Sequence, residues 1–515
     1  MQASVSPIPG GTGCILPCSG FDIKVCRIFI PSRRLLESSI GSETWLSIER
    51  EIELTSGQTR TVSWQACGLP EMSLQVPPTV YPPREDTVLL DRVLSRFGPG
   101  RGRHLLEIGS GSGAIAISAA IRGWRVSTCD IHPLAVAATR GNAADHGYEA
   151  NVVVAEGGPG ESSNWKPSTG ADVIAWNLPY LEPTEERLGP LEDAALIGSN
   201  ESTRLLGALA EDATLLRPGG IVLLLHSSNR MGNDIPSVWR GHGWATRVQR
   251  STVIGDERLT VIAAWRPFEN SIQEVVQVCE STNSQILDSE HEIGYMLRTE
   301  SQPQGRGQHG RGWVDSPHGF MGSWNLPPDS IISGSDHLQR AASIAVLDTL
   351  ACSLELGLPS HSWTHCTSME GLGLRLKWPN DIWLKTEVGH AKICGILAEG
   401  RTQGQDVRVV LGIGLNAIGP DTELLTAGWT DLVSIDVEQL TPILHASIAS
   451  LLEEHPMVEA IDHSEILATT HAAMRLTFRE GRARGERALG LDEEGRLLLP
   501  SGPIDSTGQV DWAWS

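Results

Sequence analysis

Two glycine-rich turns lie far apart in this chain of 515 residues, and each is followed by a second polar motif. The first pair is Glu107–Gly113 with Asn177–Tyr180, and the second pair is Gly305–Arg311 with Lys377–Asp381. Glycine lets a backbone approach a ligand closely, and polar groups that follow strands are typical of binding sites. A chain of this length is also too long for one core. The sequence therefore predicts two fused domains, each with its own active site.

Strands alternate with helices from residue 104 onward. The predicted elements are the strands Leu105–Ile108, Arg125–Cys129, Asp172–Trp176, Ile221–Leu225 and Leu259–Trp265 and the helix Ala114–Ile121. This alternation predicts a doubly wound, Rossmann-like α/β domain with a parallel sheet. The polar motifs follow the carboxyl ends of strands, where such sheets bind ligands.

Four segments are expected along the chain. Residues 1–70 form an N-terminal extension of unknown role, in which Glu43–Gly68 predicts a small hairpin. Residues 71–268 form the first catalytic domain, residues 272–465 form a second α+β catalytic domain, and residues 466–515 form a small β-barrel. Strands predicted in the last two segments are Val407–Ile413, Leu476–Phe478, Ala488–Leu491 and Arg496–Leu499.

Composition restricts the class of protein. The formal net charge of -22 disfavours general binding to nucleic acids, which are polyanions. The chain has neither an apolar run of about 18 residues nor a secretory signal pattern at its start, so we expect a cytoplasmic protein. The nine cysteines are scattered, and Cys14 and Cys18 form the only close pair, so we expect no metal site.

Lysine is rare in this chain and unevenly placed. It occurs only five times, whereas all other basic residues are arginine, and Lys377, Lys385 and Lys392 fall close together. The compact ammonium group and the planar guanidinium group are not interchangeable where a point charge meets a phosphate. The cluster therefore indicates a phosphate-handling site.

The first site combines a glycine turn with an acid and an amide. Asp130 ends the next predicted strand, where a carboxylate can bind ribose hydroxyls, and the GxGxG spacing favours an adenosine-bearing methyl donor over a dinucleotide. An amide nitrogen is a poor nucleophile and must be held in line with the methyl group. The side-chain oxygen of Asn177 and the carbonyl of Leu178 can accept its two N–H bonds, and Tyr180 can form a wall.

Residues 78–265 resemble the S-adenosylmethionine-dependent glutamine methyltransferases that modify translation release factors. The landmarks of the resemblance are Tyr81–Thr87, Glu107–Gly113, Asp130, Asn142, Asn177–Tyr180 and Pro218–Gly220. The resemblance implies that S-adenosylmethionine is contacted by Thr87, Glu107, Gly109, Gly111, Gly113, Asp130, Glu156 and Asn177. It also implies that Asn177, Pro179 and Tyr180 are catalytic and hold the glutamine of a release factor.

The Asn-Leu-Pro-Tyr motif departs from this family, and two alternatives remain open for the first domain. The family's Asn-Pro-Pro-Tyr is Asn-Leu-Pro-Tyr here, so a carbonyl survives at Leu178 while the fixed φ of proline is lost. The same chemistry serves nucleic-acid amino-methyltransferases, although these enzymes must grip a polyanion. The domain could also be an inactive module that only binds the cofactor.

The second site combines a glycine-rich loop with the lysine cluster. Gly305–Trp313 has too many glycines for a helix or strand and predicts a loop that closes over an anionic adenylate. Lys377 and Lys392 can neutralise the transferring phosphate, and Asp381 can orient a lysine. Ser281–Asn283 offers small polar donors for the carbonyl oxygen of a ligand.

Residues 275–515 resemble biotin protein ligases, including a small SH3-like C-terminal barrel. The resemblance implies attack of biotin on ATP with Mg²⁺, and then transfer from biotinyl-5'-AMP to a lysine of a biotin carrier protein. By resemblance, the catalytic residues are Lys377, Arg306 and Lys392. The implied biotin and ATP contacts are Ser281, Thr282, Asn283, Gln302, Gly305, Arg306, Gly307, Gln308, Arg311, Trp313, Lys377, Asn380, Asp381 and Asn416.

One position departs from the ligase family as well. The family's Gly-Arg-Gly-Arg is Gly-Arg-Gly-Gln here, so Gln308 brings no positive charge and we expect the adenylate to be held less tightly. Lipoate ligases share the fold and the adenylation chemistry and are the alternative for this half. No repressor-type DNA-binding segment precedes Ser281, so we expect no DNA partner. The lack of a long apolar run also predicts no membrane partner.

Overall fold

The computed structural model describes residues 58–161, 163–179, 201–228, 235–331, 334–354, 372–404, 406–505 and 510–514. Cys14, Cys18, Tyr180 and the first part of the predicted hairpin lie outside these residues. The described part of the chain begins with an antiparallel pair, β1 (Arg60–Trp64) and β2 (Met72–Val76). The Trp64 indole donates a hydrogen bond to the hydroxyl of Ser118 at 2.9 Å, which fastens this pair to the first catalytic domain.

Within the part of the chain that the structure describes, the first domain contains one seven-stranded sheet. Its strands have the order β5-β4-β3-β6-β7-β9-β8. Its strands are β3 (His104–Ile108), β4 (Arg125–Asp130), β5 (Val152–Glu156), β6 (Ala171–Asn177), β7 (Leu216–Ser227), β8 (Ala245–Ile254) and β9 (Glu257–Trp265). Its helices are α1 (Glu85–Ser95), α2 (Ala114–Ile121), α3 (Pro133–Asp145), α4 (Glu201–Glu211) and α5 (Ile235–Gly241). Strands β3 to β7 are parallel, and β9 is antiparallel to both of its neighbours.

The five strands and the helix predicted for this domain are confirmed, but the predicted parallel arrangement is wrong for Leu259–Trp265, because β9 runs antiparallel to β7. Strand order reverses between β3 and β6, so the ends of these two strands open into one crevice, as in doubly wound sheets. Strands β5 and β8 were not predicted. The outer edge strand β8 alternates only partly between buried and exposed residues, which weakens a period of two.

The second domain contains another seven-stranded sheet of the described residues, with the order β10-β11-β12-β16-β15-β14-β13. Its strands are β10 (Gln273–Val278), β11 (Met296–Ser301), β12 (Phe320–Leu326), β13 (Leu374–Lys377), β14 (Asp381–Thr386), β15 (Gly389–Gln403) and β16 (Asp406–Leu415). Its helices are α6 (Thr282–Asp288), α7 (Ser335–Ser353), α8 (Val437–Leu452) and α9 (His463–Ala473). Only β10 and β11 pair in parallel among these described strands, so the sheet is mixed. The strand predicted at Val407–Ile413 lies within β16.

The C-terminal segment holds one short helix and two small sheets within the described residues. The elements are α10 (Arg475–Glu480), β17 (Gly481–Ala483), β18 (Glu486–Arg487), β19 (Gly490–Leu491), β20 (Leu497–Leu499), β21 (Gly502–Ile504) and β22 (Trp512–Trp514). The two sheets have the orders β18-β17-β22 and β19-β20-β21.

The strand predicted at Leu476–Phe478 is wrong, because this segment lies in α10. All three of its residues are buried, whereas a half-buried strand alternates. Periodicity alone cannot separate helix from strand in so short an apolar run. The strand predicted at Arg496–Leu499 is confirmed as β20, and the one at Ala488–Leu491 is confirmed only for its last two residues, β19.

The two catalytic domains pack directly on each other through β8 and α8. The backbone N–H of Thr246 donates to the hydroxyl of Ser450 at 2.9 Å. The buried guanidinium of Arg247 donates to backbone carbonyls at 2.8 to 3.3 Å, those of Ala449, Ser450, Glu453 and Glu459. These carbonyls belong to the last turn of α8 and the segment that follows it, so one arginine satisfies acceptors that a helix end leaves open.

Two further contacts reinforce this interface. Arg240 and Asp348 form an ion pair at 3.2 Å whose side chains are only 3% and 5% exposed. Glu453 accepts hydrogen bonds from the indole of Trp265 at 2.8 Å and from the backbone of Phe268 at 2.9 Å.

Among the helices that the structure describes, none has both the length and the apolar character needed to cross a membrane.

Candidate active sites

The first glycine turn connects β3 to α2 and is braced by an acid. Gly109, Gly111 and Gly113 have φ values of +79°, +51° and +83°, a region that favours glycine. One carboxylate oxygen of Asp130 accepts from the backbone N–H of Gly111 at 2.9 Å, and the other accepts from the N–H of His132 at 2.9 Å. Asp130 therefore shapes the turn with both of its carboxylate oxygens.

Carboxyl groups lie at or near the carboxyl ends of three neighbouring parallel strands. Glu107 lies on β3, Asp130 ends β4 and Glu156 ends β5, where it is exposed. Glu107 is buried and accepts a hydrogen bond from the Thr128 hydroxyl at 3.1 Å. Burial raises its pKa to about 8, and burial also raises the pKa of Asp130. Glu107 can therefore carry a proton near neutral pH and donate a hydrogen bond.

The side-chain oxygen of Asn177 is a buried acceptor at the end of β6. Its Oδ1 has no hydrogen-bond partner among the described residues. Its Nδ2 donates to Oδ2 of Asp86 at 2.7 Å, and Oδ1 of Asp86 accepts from the backbone N–H of Thr87 at 2.6 Å. Thr87 and Asn177 are thus brought together through Asp86, to which the sequence analysis assigned no role although it lies within Tyr81–Thr87.

Leu178 stands where the methyltransferase family has a proline. Its backbone N–H makes a hydrogen bond that proline cannot make. Its backbone N–H donates to the carbonyl of Leu225 at 3.0 Å, and its side chain is 1% exposed. This bond completes the last pair of the β6–β7 ladder, Asn177 with Leu225. Pro179 follows as a half-buried residue, and Tyr180 lies outside the described residues.

The lysine cluster of the second site is organised by Asp381. Lys377 ends β13 and pairs with Asp381 across a hairpin, while Lys392 comes from the adjacent strand β15. The Lys392 ammonium lies 2.7 Å from one oxygen of Asp381, and the Lys377 ammonium lies 3.6 Å from the other. Lys377 also stacks over the Trp383 ring, with its ammonium 4.9 Å from the ring centroid.

Charge and burial act together on this cluster. Burial lowers the pKa of Lys377, and Asp381 opposes that shift while Lys392 and Arg311 reinforce it. Burial alone would raise the pKa of Asp381, but the ammonium groups of Lys392 and Lys377 outweigh it and hold this pKa below its usual value. Asp381 is therefore ionised at neutral pH, and two cations flank a single carboxylate.

The second glycine-rich loop folds as a narrow hairpin. The N–H of Gly307 donates to the carbonyl of Arg311 at 2.7 Å, and the N–H of Trp313 donates to the carbonyl of Gly305 at 2.9 Å. The loop forms one wall of a cavity of about 750 Å³, lined by 303–308, 310–313, Asp336, Gln339 and 397–399. Gln308 stands where the ligase family has arginine. Its side chain donates a hydrogen bond to the side chain of Gln339 in α7 at 2.7 Å.

Trp313 connects this loop to the lysines. The Lys392 ammonium lies 5.7 Å from the centroid of the Trp313 ring. The ring packs so closely on Gly395 and Gly414 that an added Cβ would lie 2.8 and 2.4 Å from it. Two glycines in neighbouring strands thus make room for one indole.

The small polar residues before the loop form a hydrogen-bonded group. The Ser323 hydroxyl lies 2.7 Å from that of Thr282 and 2.6 Å from the amide oxygen of Asn283. The amide nitrogen of Asn283 donates to Glu399 at 2.7 Å, and Arg306 pairs with the same carboxylate at 3.5 Å. Glu399 therefore ties two predicted ligand contacts together, although the sequence analysis did not select it.

The remaining predicted contacts hold the framework. Ser281 precedes α6, and the side chain of Gln302 accepts from the N–H of Thr282 at 3.4 Å. Asn380 donates to the carbonyl of Ile396 at 2.5 Å. Asn416 donates to the carbonyl of Lys392 at 3.3 Å, and its side-chain oxygen is a buried acceptor without a partner in the described part of the chain.

Comparison with known proteins separates the two halves of the chain. Residues 275–416 match the Biotin/lipoate A/B protein ligase family. The biotin–[acetyl-CoA-carboxylase] ligase of Mycobacterium tuberculosis is 29% identical over 262 residues, which cover 48% of this chain and 88% of that protein. The biotin protein ligase from Aquifex aeolicus in complex with biotin and ATP aligns at 20% identity with a TM-score of 0.35, covering 48% of this chain and 100% of that chain.

The N-terminal half matches a different group of enzymes. The release factor glutamine methyltransferase of Moorella thermoacetica is 33% identical over 184 residues, which cover 33% of this chain. The alignment spans only 62% of the length of that methyltransferase. The chain therefore joins two parts with different similarities: residues 275–416 match the Biotin/lipoate A/B protein ligase family, and the preceding domain is similar to the release factor glutamine methyltransferases.

Proposed function

We propose that the first domain methylates the side-chain nitrogen of a glutamine in a translation release factor. The observation that carries this proposal is the buried, unpartnered Oδ1 of Asn177 at the end of β6. A buried acceptor without a partner is costly unless a ligand donates to it. An amide N–H of the substrate glutamine is a donor of the required kind, and the Leu178 carbonyl accepts the second N–H.

The residues around the glycine turn fit an adenosine-bearing cofactor. S-adenosylmethionine supplies an electrophilic methyl group, which the glutamine nitrogen accepts with loss of one proton, so that S-adenosylhomocysteine and N5-methylglutamine result. Gly109, Gly111 and Gly113 let the backbone approach the cofactor, and Asp130 binds its ribose hydroxyls. Thr87, Glu107 and Glu156 complete the cofactor contacts, and Pro179 and Tyr180 hold the glutamine.

The second domain joins biotin to a lysine of a biotin carrier protein. The carboxylate of biotin attacks the α-phosphate of ATP, pyrophosphate leaves, and biotinyl-5'-AMP forms. Lys377 and Lys392 stabilise the charge that develops on the transferring phosphate, and Asp381 holds both ammonium groups in place. The carrier lysine then attacks the acyl carbon and AMP leaves. Mg²⁺ accompanies ATP, because phosphate oxygens are ligands that this cation prefers.

The remaining ligase residues either bind biotin or belong to the glycine-rich loop that closes over the adenylate. Arg306, Arg311 and the glycines of the loop close over the adenylate and keep water from the mixed anhydride. The biotin end of the ligand is bound by Ser281, Thr282, Asn283 and Gln302. Of these, Thr282 and Asn283 are hydrogen-bonded to Ser323. Trp313, Asn380 and Asn416 shape the pocket.

The chain divides into segments as its sequence indicates. We assign residues 71–268 to the methyltransferase domain and residues 272–465 to the ligase domain, and within residues 466–515 we assign the short strands β17 to β22 to an SH3-like barrel. The contact between Trp64 and Ser118 supports adding β1 to the methyltransferase domain. The two small C-terminal sheets support the barrel assignment, since SH3-like barrels are built from short strands of this kind.

A transfer assay on the full chain tests the methyltransferase proposal. The substrates are labelled S-adenosylmethionine and a release factor that carries a Gly-Gly-Gln loop. We expect label on the glutamine and its loss with Asn177→Ala. Transfer to DNA or RNA instead would support a nucleic-acid enzyme, and cofactor binding without any transfer would support an inactive module.

A second assay tests the ligase with ATP, Mg²⁺ and a carrier domain, offering biotin and lipoate in competition. We expect biotin to be transferred and Lys377→Ala to abolish transfer. Preferential transfer of lipoate would contradict the proposal. Gln308→Arg should slow release of the adenylate, because it adds the positive charge that the loop lacks, whereas an unchanged release rate would show that Gln308 is not the cause of weak retention.

A further inference from the structure

Asp86 is a buried acid that connects the first turn of α1 to the end of β6. Its residue is only 2% exposed. One oxygen accepts a hydrogen bond from the side-chain nitrogen of Asn177 at 2.7 Å, and the other accepts from the backbone N–H of Thr87 at 2.6 Å. Each oxygen of this carboxylate therefore faces a defined donor.

These two contacts decide which way the amide of Asn177 faces. An ionised carboxylate has no proton to donate, so the atom of Asn177 that meets it must be the amide nitrogen. The amide oxygen then points away from Asp86, and this oxygen is the buried acceptor that lacks a partner in the described part of the chain. An asparagine without such a neighbour can turn its amide over and present a donor instead.

We infer that Asp86 is a positioning residue that holds the Asn177 amide with its oxygen toward the methyl-accepting nitrogen. The inference rests on the proposed transfer to an amide nitrogen, whose N–H groups require acceptors. A reversed Asn177 amide would set a donor against a donor and lose the alignment of the nucleophile. Asp86 acts through Asn177 and touches no reacting atom.

Two substitutions separate this role from a purely structural one. In Asp86→Asn, the N–H of Thr87 still requires an oxygen, so the new amide nitrogen must face Asn177. That donor reverses the Asn177 amide, and we expect kcat for methyl transfer to fall about 100-fold. Asp86→Ala leaves the amide free to turn in either direction, and we expect a smaller fall of about 10-fold.

The order of these two variants is the critical result. If Asp86 served only packing, the nearly isosteric Asp86→Asn would be the milder change and Asp86→Ala the more harmful one. That order would overturn the inference. Asp86→Asn keeps an oxygen that accepts from the N–H of Thr87, so its affinity for S-adenosylmethionine, measured by calorimetry, should stay within about twofold of wild type.

Asp91 offers a matched control on the same helix. It is 1% exposed and accepts from Arg122 at 2.6 Å and from the N–H of Cys67 at 2.6 Å, away from Asn177. Asp91→Asn should lower stability and leave kcat within about twofold of wild type in the folded protein. An equal loss of kcat in Asp91→Asn and Asp86→Asn would overturn the inference.

A readout that needs no methyl transfer tests Asp86 even if the proposed substrate is wrong. In the full chain labelled with ¹⁵N-asparagine, the signal of the Asn177 side-chain amide is identified by its loss in Asn177→Asp. We expect its protons to exchange with water at least about tenfold more slowly in wild type than in Asp86→Ala. Equal exchange rates would overturn the inference, whereas absent transfer to the release factor with slow exchange would overturn only the proposed substrate.

Discussion

Single residues carry the departures of this chain from its relatives, and Leu178 is the most instructive. The sequence shows that proline is replaced, with loss of a fixed φ. The structure adds a compensating contact, because the Leu178 N–H donates to Leu225 and completes the ladder between β6 and β7. A proline at this position has no N–H to donate. The substitution therefore exchanges one constraint on the active-site loop for another.

Restoring the proline should therefore destabilise this chain. We expect Leu178→Pro to lower the free energy of unfolding by about 1 kcal/mol, the usual value of one hydrogen bond, and not to raise the rate of methyl transfer. Denaturant unfolding of the full chain measures the first effect. Leu178→Val retains the N–H and serves as the control. A proline variant as stable as the valine variant would show that the bond to Leu225 contributes nothing.

At the scale of elements, the ligase site depends on close packing between a loop and two strands. The Trp313 ring covers Gly414 so closely that an added Cβ would lie 2.4 Å from it. We expect Gly414→Ala to displace this indole and to reduce biotin transfer at least about tenfold through faster loss of the adenylate. Gly141→Ala, in the other domain, is the control, because an added Cβ there meets no atom within 4 Å. Equal activity of the two variants would contradict the role given to Trp313.

A second element-scale prediction concerns pH. Glu480, at the end of α10, accepts from Arg375 in β13 at 2.8 and 3.0 Å. Hydrogen bonds from Arg375 outweigh the opposing effect of burial and lower the pKa of Glu480 to about 2. Its contribution to stability is therefore complete above its unfolded-state pKa of about 4.3 and is lost as the pH falls toward 2. We expect Glu480→Gln to lower Tm at pH 7, with a difference from wild type that shrinks between pH 4 and pH 2. A constant difference would contradict the assigned pKa.

The same scale shows how far the sequence reaches. Leu105–Ile108 could be predicted as a strand because a short apolar run leads directly into a glycine turn. Leu476–Phe478 could not be assigned correctly, because three successive buried residues have no period. Side-chain partners brought together from distant positions were beyond prediction. Glu399 meets both Asn283 and Arg306, which lie about a hundred residues earlier in the chain. Asp86 was visible in its motif, but its contact with Asn177 depends on where α1 packs.

At the scale of the whole molecule, the two domains are joined by buried hydrogen bonds and a buried ion pair. Arg247 lies in β8 of the methyltransferase sheet. Its guanidinium donates hydrogen bonds to the carbonyl groups at the end of α8 in the ligase. Burial lowers its pKa to about 10, so the guanidinium stays charged at neutral pH. We expect Arg247→Ala to reduce stability by about 3 kcal/mol, because it leaves buried carbonyls without donors.

Calorimetry of the full chain checks this prediction. Arg247→Ala should separate the unfolding of the two domains into distinct transitions at a lower temperature than in wild type. Arg250→Ala is the control, since Arg250 lies on the same strand and is exposed. Unchanged unfolding of the Arg247 variant would show that the domains are stable independently of this contact.

The end of α8 therefore has a second role besides completing the ligase. Because Arg247 and Glu453 bind across the domain boundary, each half supplies a hydrogen-bond partner to buried polar groups of the other half. Such a chain cannot easily lose one half by mutation or proteolysis and keep the other intact. Its two active sites are made in equal numbers and are expected to decay together, so their ratio is set by the polypeptide itself and requires no separate control.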